Sequence, residues 1–199
     1  MYSAGIYIHI PYCTIKCIYC DYFSVTDQEK TIPRFISAID REIQMCNIDT
    51  NDWKFDTIFI GGGTPSLLSA KSIELIIKSL KKKFDINDLK EFTIEVNPGE
   101  VSINKLKEFN SLGINRLSIG VQSFNTNQLK FLGRSHYPNQ SFETIKNARN
   151  AGFDNISCDL IYLIPGQSFN EWVIDLETLT KLNPDHISAY TLTLEKETE

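Results

Sequence analysis

The sequence GIYIHIPYCTIKCIYCDYFS at residues 5–24 brings together three cysteines, Cys13, Cys17 and Cys20, at C-x3-C-x2-C spacing. The residues before them, 5–10, are rich in β-branched and aromatic side chains, which predicts a β-strand. Pro11 lacks a backbone N–H and disfavours helix in the residue before it, so the strand should end there. We therefore expect a loop that holds three thiols close together at the C-terminal end of a strand.

Three kinds of site could use such a loop. A structural zinc site needs four protein ligands, usually in two pairs, and the sequence has no second C-x-x-C pair, although a zinc-stabilised interaction domain stays an alternative. A disulfide framework is typical of short secreted chains, and no signal peptide is recognisable in these 199 residues. An iron–sulfur cubane normally takes one thiolate per iron, so three thiolates would leave one iron open.

The cysteine spacing after a strand, with Tyr19 just before the last cysteine, resembles the radical S-adenosylmethionine superfamily. The longer string YIHIPYC at residues 7–13 is similar to its oxygen-independent coproporphyrinogen III oxidase-like branch, which includes the HemW heme chaperones. The resemblance implies a [4Fe-4S] cluster on Cys13, Cys17 and Cys20. It also implies that the open iron binds the amino and carboxylate groups of S-adenosyl-L-methionine, whose cleavage yields a 5′-deoxyadenosyl radical, with the cofactors supplying the chemistry.

The composition is that of an ordinary globular domain, with 42% hydrophobic and 23% charged residues. The net charge is −5 with acids and bases interspersed, which argues against nucleic-acid binding. No apolar run is long enough for a transmembrane segment. Five cysteines and no visible targeting peptide predict a reducing, cytoplasmic location. Cys46 and Cys158 are isolated, and we expect them to pack as small apolar side chains.

The rest of the chain alternates strand and helix patterns. Further strands are predicted at residues 56–60, 91–96, 116–122, 155–164 and 185–194. Helices are predicted at residues 32–46, 70–84, 103–112, 125–132, 139–151 and 168–182. This alternation predicts an α/β fold with a parallel sheet, either a barrel or an open doubly wound sheet. Polar or Gly/Pro residues at nearly every strand end favour a barrel, and about six βα units fall short of eight. The resemblance likewise implies an incomplete (β/α)6 TIM-like barrel.

The predicted domain organisation is one radical S-adenosylmethionine core over residues 1–199. The last predicted strand runs almost to the final residue with no helix after it, and an uncovered edge strand is a liability. We therefore expect this core to be the N-terminal part of a longer protein and to lack the family's C-terminal domain.

Active sites of such barrels collect at the C-terminal ends of the strands. Gly62, Gly63 and Thr64 follow the second strand in FIGGGTPS, and glycines allow close backbone approach to a ligand; a tight turn is the alternative. By resemblance this segment faces the methionyl amino group. Glu95, in TIEVNP, is an acid in an apolar strand, where an unpaired carboxylate is rare. The resemblance implies that it helps to hold S-adenosylmethionine, whereas a structural salt bridge is the alternative.

Five further residues match the family by their positions in this sequence. Gln122, in SIGVQSF, and Asp159, in CDLIY, correspond to residues at the ribose. Arg134, in LGR, corresponds to the arginine that pairs with the ligand carboxylate, and such a pair can be bidentate. Tyr7 and Tyr19 correspond to aromatics beside the ligand and the cluster. As isolated residues, Arg134 would be a surface charge and the tyrosines core packing.

Two functions fit the resemblance. One is oxidative decarboxylation of coproporphyrinogen III, and the other is heme delivery by a chaperone without that activity. The strings CDYFS at 20–24, SIGVQSF at 118–124 and ISAYTLTLE at 187–195 are similar to the HemW chaperones, so we expect the chaperone, assign no catalytic residue and leave enzymatic activity open. The implied partners are S-adenosylmethionine, heme and heme-accepting client proteins, and an electron donor such as a flavodoxin or ferredoxin. The heme site is expected in the C-terminal part.

Overall fold

A computed structural model describes residues 2–47, 50, 52–193 and 195. Strands and helices alternate along these residues, as the sequence predicts. The strands are β1 (Tyr2–Ile10), β2 (Trp53–Gly62), β3 (Glu91–Val96), β4 (Arg116–Gln122), β5 (Asn155–Tyr162) and β6 (His186–Thr191). The helices are α1 (Ile32–Met45), α2 (Ala70–Lys83), α3 (Ile103–Ser111), α4 (Thr126–Phe131), α5 (Pro138–Asn150) and α6 (Phe169–Lys181).

The sheet has the order β1-β2-β3-β4-β5-β6, and every neighbouring pair is parallel. Sequential order with parallel strands curls the sheet into a half-barrel, so the predicted incomplete (β/α)6 barrel is confirmed. β1 and β2 begin three residues earlier than predicted because their first three residues pair with each other. Tyr2 lies opposite Trp53 in this pairing. The predicted last residue of β6, Leu194, lies outside the described residues.

The two faces of the sheet differ in chemistry. On the outer face, Ile60, Ile94, Leu117 and Ile156 lie side by side in register on four strands, and each is completely buried. On the inner face the same register places Glu95 beside Ser118, and Asp159 beside Ser188 on the next strand. Because side chains alternate along a strand, each strand contributes apolar groups outward and polar groups inward. The hydrophobic core therefore lies between sheet and helices, and the interior of the half-barrel is polar.

The helices cover the outer face through apolar stripes. On α2, Ile73, Ile76, Ile77 and Leu80 are buried against the sheet. The helix starts are fixed by capping side chains: Ser69, Ser102 and Ser168 each accept a hydrogen bond from a backbone N–H of the first turn. Cys158 belongs to the core, as predicted, while Cys46 is half-buried outside it. None of the helices in the described parts of the chain has the length and apolar content of a membrane span.

The packing of α3 gives a test of this core. Phe109 is completely buried on α3, whereas Phe169, at the start of α6, is 82% exposed. Phe109→Ala should lower the free energy of unfolding by about 3–5 kcal/mol, because it leaves a cavity in a close-packed interior. Phe169→Ala should change it by about 0.5 kcal/mol or less. Urea denaturation of both variants measures the difference, and equal midpoints would contradict this packing.

Candidate functional site

The cysteine loop is closed by backbone hydrogen bonds at its base. Cys13 N–H donates to Val25 O at 3.0 Å, and Val25 N–H donates to Pro11 O at 2.7 Å. Within the loop, Cys20 N–H donates to Cys17 O at 3.1 Å, which forms a turn. The loop therefore returns to the end of β1, and the three cysteines line one cavity at the C-terminal edge of the sheet. Burial raises the pKa of Cys13 and Cys20, so both are thiols at neutral pH in the protein alone.

This cavity has a volume of about 470 Å³, within the range of small-molecule sites. It collects residues from the cysteine loop and from the ends of β2 to β6. Eleven of the twelve residues predicted from the sequence line it: Cys13, Cys17, Tyr19, Cys20, Gly62, Gly63, Thr64, Glu95, Gln122, Arg134 and Asp159.

The glycine segment after β2 packs directly against the cysteine loop. Gly63 N–H donates to Ile10 O at 2.8 Å, and Thr64 N–H donates to Tyr12 O at 2.6 Å. A Cβ on Gly63 would lie 2.7 Å from Tyr12 O and 2.9 Å from Cys13 Sγ, and Gly62 has φ +113°. A side chain would therefore clash with the cysteine loop at Gly63 and would strain the backbone at Gly62. The Thr64 hydroxyl donates to Cys13 Sγ at 3.6 Å.

Glu95 faces this glycine segment from β3. Its Oε2 accepts a hydrogen bond from Gly62 N–H at 2.9 Å. Burial raises the pKa of Glu95 to about 7, and the nearby Asp159 acts in the same direction, although the Gly62 bond partly offsets them. Among the described residues, each salt bridge is formed by an acid other than Glu95. The structural salt bridge considered from the sequence is therefore not seen in the described residues.

Arg134 lines the cavity, and its guanidinium is held by neighbouring polar groups. Its Nη2 donates to Asn97 Oδ1 at 2.7 Å and to Gly120 O at 3.0 Å, and its Nη1 lies 3.5 Å from Cys17 Sγ. The Nε atom is buried without a hydrogen-bond partner. The guanidinium is thus a fixed positive charge beside the cysteine loop and not a solvated surface charge.

Gln122 and Asp159 each present an unsatisfied oxygen. Gln122 Oε1 and Asp159 Oδ1 are buried and have no hydrogen-bond partner. Buried polar atoms are normally paired, so such atoms indicate a missing ligand or solvent. Burial raises the pKa of Asp159 to about 6. Gln122 also has a positive φ of +67°, which is uncommon for a residue with a side chain.

The two predicted tyrosines differ in position. Tyr19 lines the cavity, and burial raises the pKa of its hydroxyl. Tyr7 is 56% exposed on the inner face and does not line the cavity. Since His9 Nε2 must donate to Phe23 O at 2.8 Å, His9 Nδ1 accepts from the Tyr7 hydroxyl at 3.1 Å. The predicted role of Tyr7 beside a ligand stays a prediction.

Some residues of the site were not singled out from the sequence. Asn97 joins three parts of it, because its Oδ1 accepts from Arg134 while its Nδ2 donates to Thr64 Oγ1 and Glu100 Oε2, both at 3.0 Å. The sequence feature that could have identified Asn97 is the polar turn Asn97-Pro98-Gly99, directly after β3. His136 fastens the Arg134 segment to β4 through Nε2–H to Val121 O at 3.1 Å, and burial lowers its pKa to about 4.

No group of three His, Cys, Asp or Glu side chains within the described ranges is arranged to hold a single metal ion.

The sequence profile of the Radical SAM superfamily matches residues 7–179. Similar curated proteins include the heme chaperone HemW of Lactococcus lactis, 39% identical over 192 residues that span 96% of this chain and 50% of that protein. HemW of Haemophilus influenzae is 39% identical over 200 residues, 98% of this chain and 52% of that protein. The chain thus spans about half the length of the curated relatives it matches.

A solved structure gives the same picture of the fold. Coproporphyrinogen III oxidase, HemN, of Escherichia coli superposes with a TM-score of 0.87 at 30% identity, covering 96% of this chain and 44% of that chain. The profile match covers most of the sequence, including the end of β1, the cysteine loop and the whole of β2 to β5. The chain belongs to the radical SAM superfamily.

Proposed function

We propose that this chain is the cofactor-binding core, residues 1–199, of a HemW-like heme chaperone that holds a [4Fe-4S] cluster and S-adenosyl-L-methionine. The observation that carries the proposal is a single cavity lined by three cysteines, by the glycine segment after β2 and by buried polar atoms without hydrogen-bond partners. Members of the superfamily generally use this cluster and this nucleoside. The finer assignments below are made from the chemistry of the residues.

The cysteine loop fits an iron–sulfur cluster. Cys13, Cys17 and Cys20 would supply three thiolates to a cubane, since thiolates are its ordinary ligands. Thr64 and Arg134 both direct hydrogen-bond donors at cysteine sulfurs, and hydrogen bonds to sulfur tune the potential of such clusters. Asp21, Tyr22 and Ser24 line the same cavity and would shield this end of it.

The polar atoms around the cavity fit S-adenosylmethionine. Glu95 and the Gly62–Gly63–Thr64 segment would receive the amino group, Arg134 the carboxylate, and Gln122 and Asp159 the ribose hydroxyls. Tyr19 and Tyr7 would contribute aromatic contacts beside the cluster and the ligand. When bound, the cluster would supply one electron to the sulfonium, which cleaves the carbon–sulfur bond.

The protein's own part in this chemistry is to hold charge and exclude water. Arg134 is fixed by Asn97 and Gly120 before any ligand arrives, so little reorganisation is needed for it to meet a carboxylate. Glu95 is poised between its protonated and ionised forms near neutral pH. It can therefore accept a proton from, or a hydrogen bond from, an amino group in the cavity.

The chaperone is favoured over the oxidase by sequence similarity. The curated relatives at 39% identity carry the name heme chaperone HemW, whereas the coproporphyrinogen III oxidase is 30% identical. Its close structural match nevertheless makes oxidative decarboxylation of coproporphyrinogen III the second candidate. In the chaperone, heme and the client-binding surface would belong to the C-terminal part of the full-length protein, and a flavodoxin or ferredoxin would be the electron donor.

Two assays on the full-length protein separate these functions. We expect heme titration followed by absorbance to give saturable binding near one equivalent. We also expect no turnover of coproporphyrinogen III under reducing, anaerobic conditions with S-adenosylmethionine present, because the chaperone has no decarboxylase activity. Turnover without heme binding would reverse the assignment.

The cluster ligands are tested by Cys17→Ala. Anaerobically reconstituted wild type should bind about four irons and four sulfides per chain, since three thiolates hold one cubane. Cys17→Ala should lose most of the iron and the broad visible absorption. Cys46→Ala is the matched control because Cys46 is half-buried away from the cavity, and it should keep wild-type iron. Full iron content in Cys17→Ala would show that this residue is not a ligand.

The ionisation of Glu95 predicts a pH dependence of ligand affinity. With a pKa of about 7, the ionised fraction rises roughly tenfold from pH 6 to pH 8. Only the carboxylate attracts an amino group, so wild type should gain affinity for S-adenosylmethionine over Glu95→Gln by up to about tenfold across this range. Calorimetry on cluster-loaded protein measures both constants. Glu108→Gln, an exposed site on α3, should follow wild type, and a pH-independent ratio between wild type and Glu95→Gln would refute the role.

A further inference from the structure

The backbone at Gln122 is unusual and must be held in place. Its φ of +67° is in the left-handed region, where a residue with a side chain is strained. The ladder between β4 and β5 shifts register between Ile119 and Gln122, Gln122 itself pairs with Leu160, and Ser123 N–H donates to Val121 O at 2.9 Å around this residue. Its side chain nevertheless presents Oε1 to the cavity without a partner. A contact from outside the sheet adds to these backbone bonds.

That contact comes from Asp175 on α6. Its Oδ1 accepts from Phe124 N–H at 2.8 Å, and its Oδ2 accepts from the Ser123 hydroxyl at 2.7 Å. Both donors belong to the two residues that directly follow Gln122. Asp175 is only 2% exposed, and a carboxylate is seldom buried so fully unless it is paired. It does not line the cavity.

The first turn of α6 and the chain just before it make two further bonds to the segment after Gln122. Asn125 Nδ2 donates to Glu171 Oε1 at 3.1 Å, at the start of α6. Gln167 Nε2, just before α6, donates to Gln128 Oε1 at 3.0 Å, and Gln128 Oε1 lies 2.8 Å from Ser123 Oγ. The segment 123–128 is therefore bonded to Asp175 and Glu171 on α6 and to Gln167 before it, and the bonds of Asp175 are made to the two residues directly after Gln122.

We propose that Asp175 is a positioning residue, which holds Ser123 and Phe124 so that Gln122 keeps its left-handed backbone and directs its amide at the ribose of the nucleoside. This inference rests on the proposed function, because it needs S-adenosylmethionine in the cavity. Asp175 would act on nucleoside selectivity without touching the ligand. Loss of its carboxylate would free the segment, and Gln122 would relax toward an ordinary backbone conformation.

Ligand selectivity tests this role. The cluster-loaded, full-length protein is titrated by calorimetry with S-adenosylmethionine and with its 2′,3′-dideoxy analogue, which lacks both ribose hydroxyls. Wild type should prefer the natural ligand by about tenfold or more, since a site that hydrogen-bonds a hydroxyl rejects the analogue without it. Asp175→Ala should lower this preference at least fivefold, and Gln122→Ala should lower it equally. The double variant should show no further loss, because the two residues act in series.

Two variants separate positioning from general damage. Asp175→Asn keeps an oxygen for Phe124 N–H, and its amide can donate to Ser123 Oγ, so it should retain wild-type preference. Ser79→Ala removes another buried serine that donates to an aspartate, Asp40 at 2.6 Å between α2 and α1, and should leave the preference unchanged. Iron content and the thermal midpoint are recorded for each variant. If Asp175→Ala fails to fold, Ser123→Ala replaces it with the same expected loss.

The outcomes are distinct. The positioning role is overturned if Asp175→Ala weakens the binding of both ligands equally. It is also overturned if Asp175→Ala keeps the wild-type preference while Gln122→Ala loses it. Both results leave the proposed function standing. A wild-type protein that does not bind S-adenosylmethionine, or does not discriminate against the analogue, defeats the nucleoside assignment and this inference with it.

Discussion

Two backbone hydrogen bonds, from Gly63 N–H to Ile10 O and from Thr64 N–H to Tyr12 O, determine how the whole site is assembled. They join the end of β2 to the first residues of the cysteine loop, and they form only because glycine leaves room for Cys13 and Tyr12. From this junction, Gly62 reaches Glu95 on β3, and Thr64 reaches Asn97 just after it. Asn97 in turn holds Arg134. The first three strands and the segment after α4 are thus connected through one continuous set of bonds.

The alternation of side chains explains why a polar cavity can exist in so small a domain. The hydrophobic contacts that stabilise the sheet lie on its outer face, under the helices. The inner face does not have to supply the hydrophobic core. Glu95, Ser118 and Asp159 can therefore occupy positions that a closed barrel would fill with layers of apolar side chains. Their burial raises the pKa of the two acids. The function of the site therefore depends on which face of the strand carries the core.

Much of this arrangement could be predicted from the sequence, and the limits have physical causes. The strand–helix order followed from local patterns, and parallel strands bring their C-terminal ends to one edge. The individual lining residues were predicted mainly from the resemblance of their motifs to the superfamily. The connections between distant residues did not follow from local patterns: Asn97 and Arg134 are 37 positions apart, and Ser123 and Asp175 are 52 apart. A polar residue in a helix, such as Asp175, has the same local pattern whether it faces solvent or a buried loop. The contact of the Tyr7 hydroxyl with His9, two positions along the same strand, was likewise not predicted from the sequence.

The half-barrel has a free seam, since β1 and β6 stand at opposite edges of the sheet and do not pair with each other in the described residues. A closed barrel can widen only by breaking a strand pair, with the loss of several ladder bonds. Here the curvature of the sheet can change while every ladder stays intact, because the two edges simply move apart. Bulky molecules could then reach the polar interior sideways, past Tyr7 and Tyr190, which are both more than half exposed.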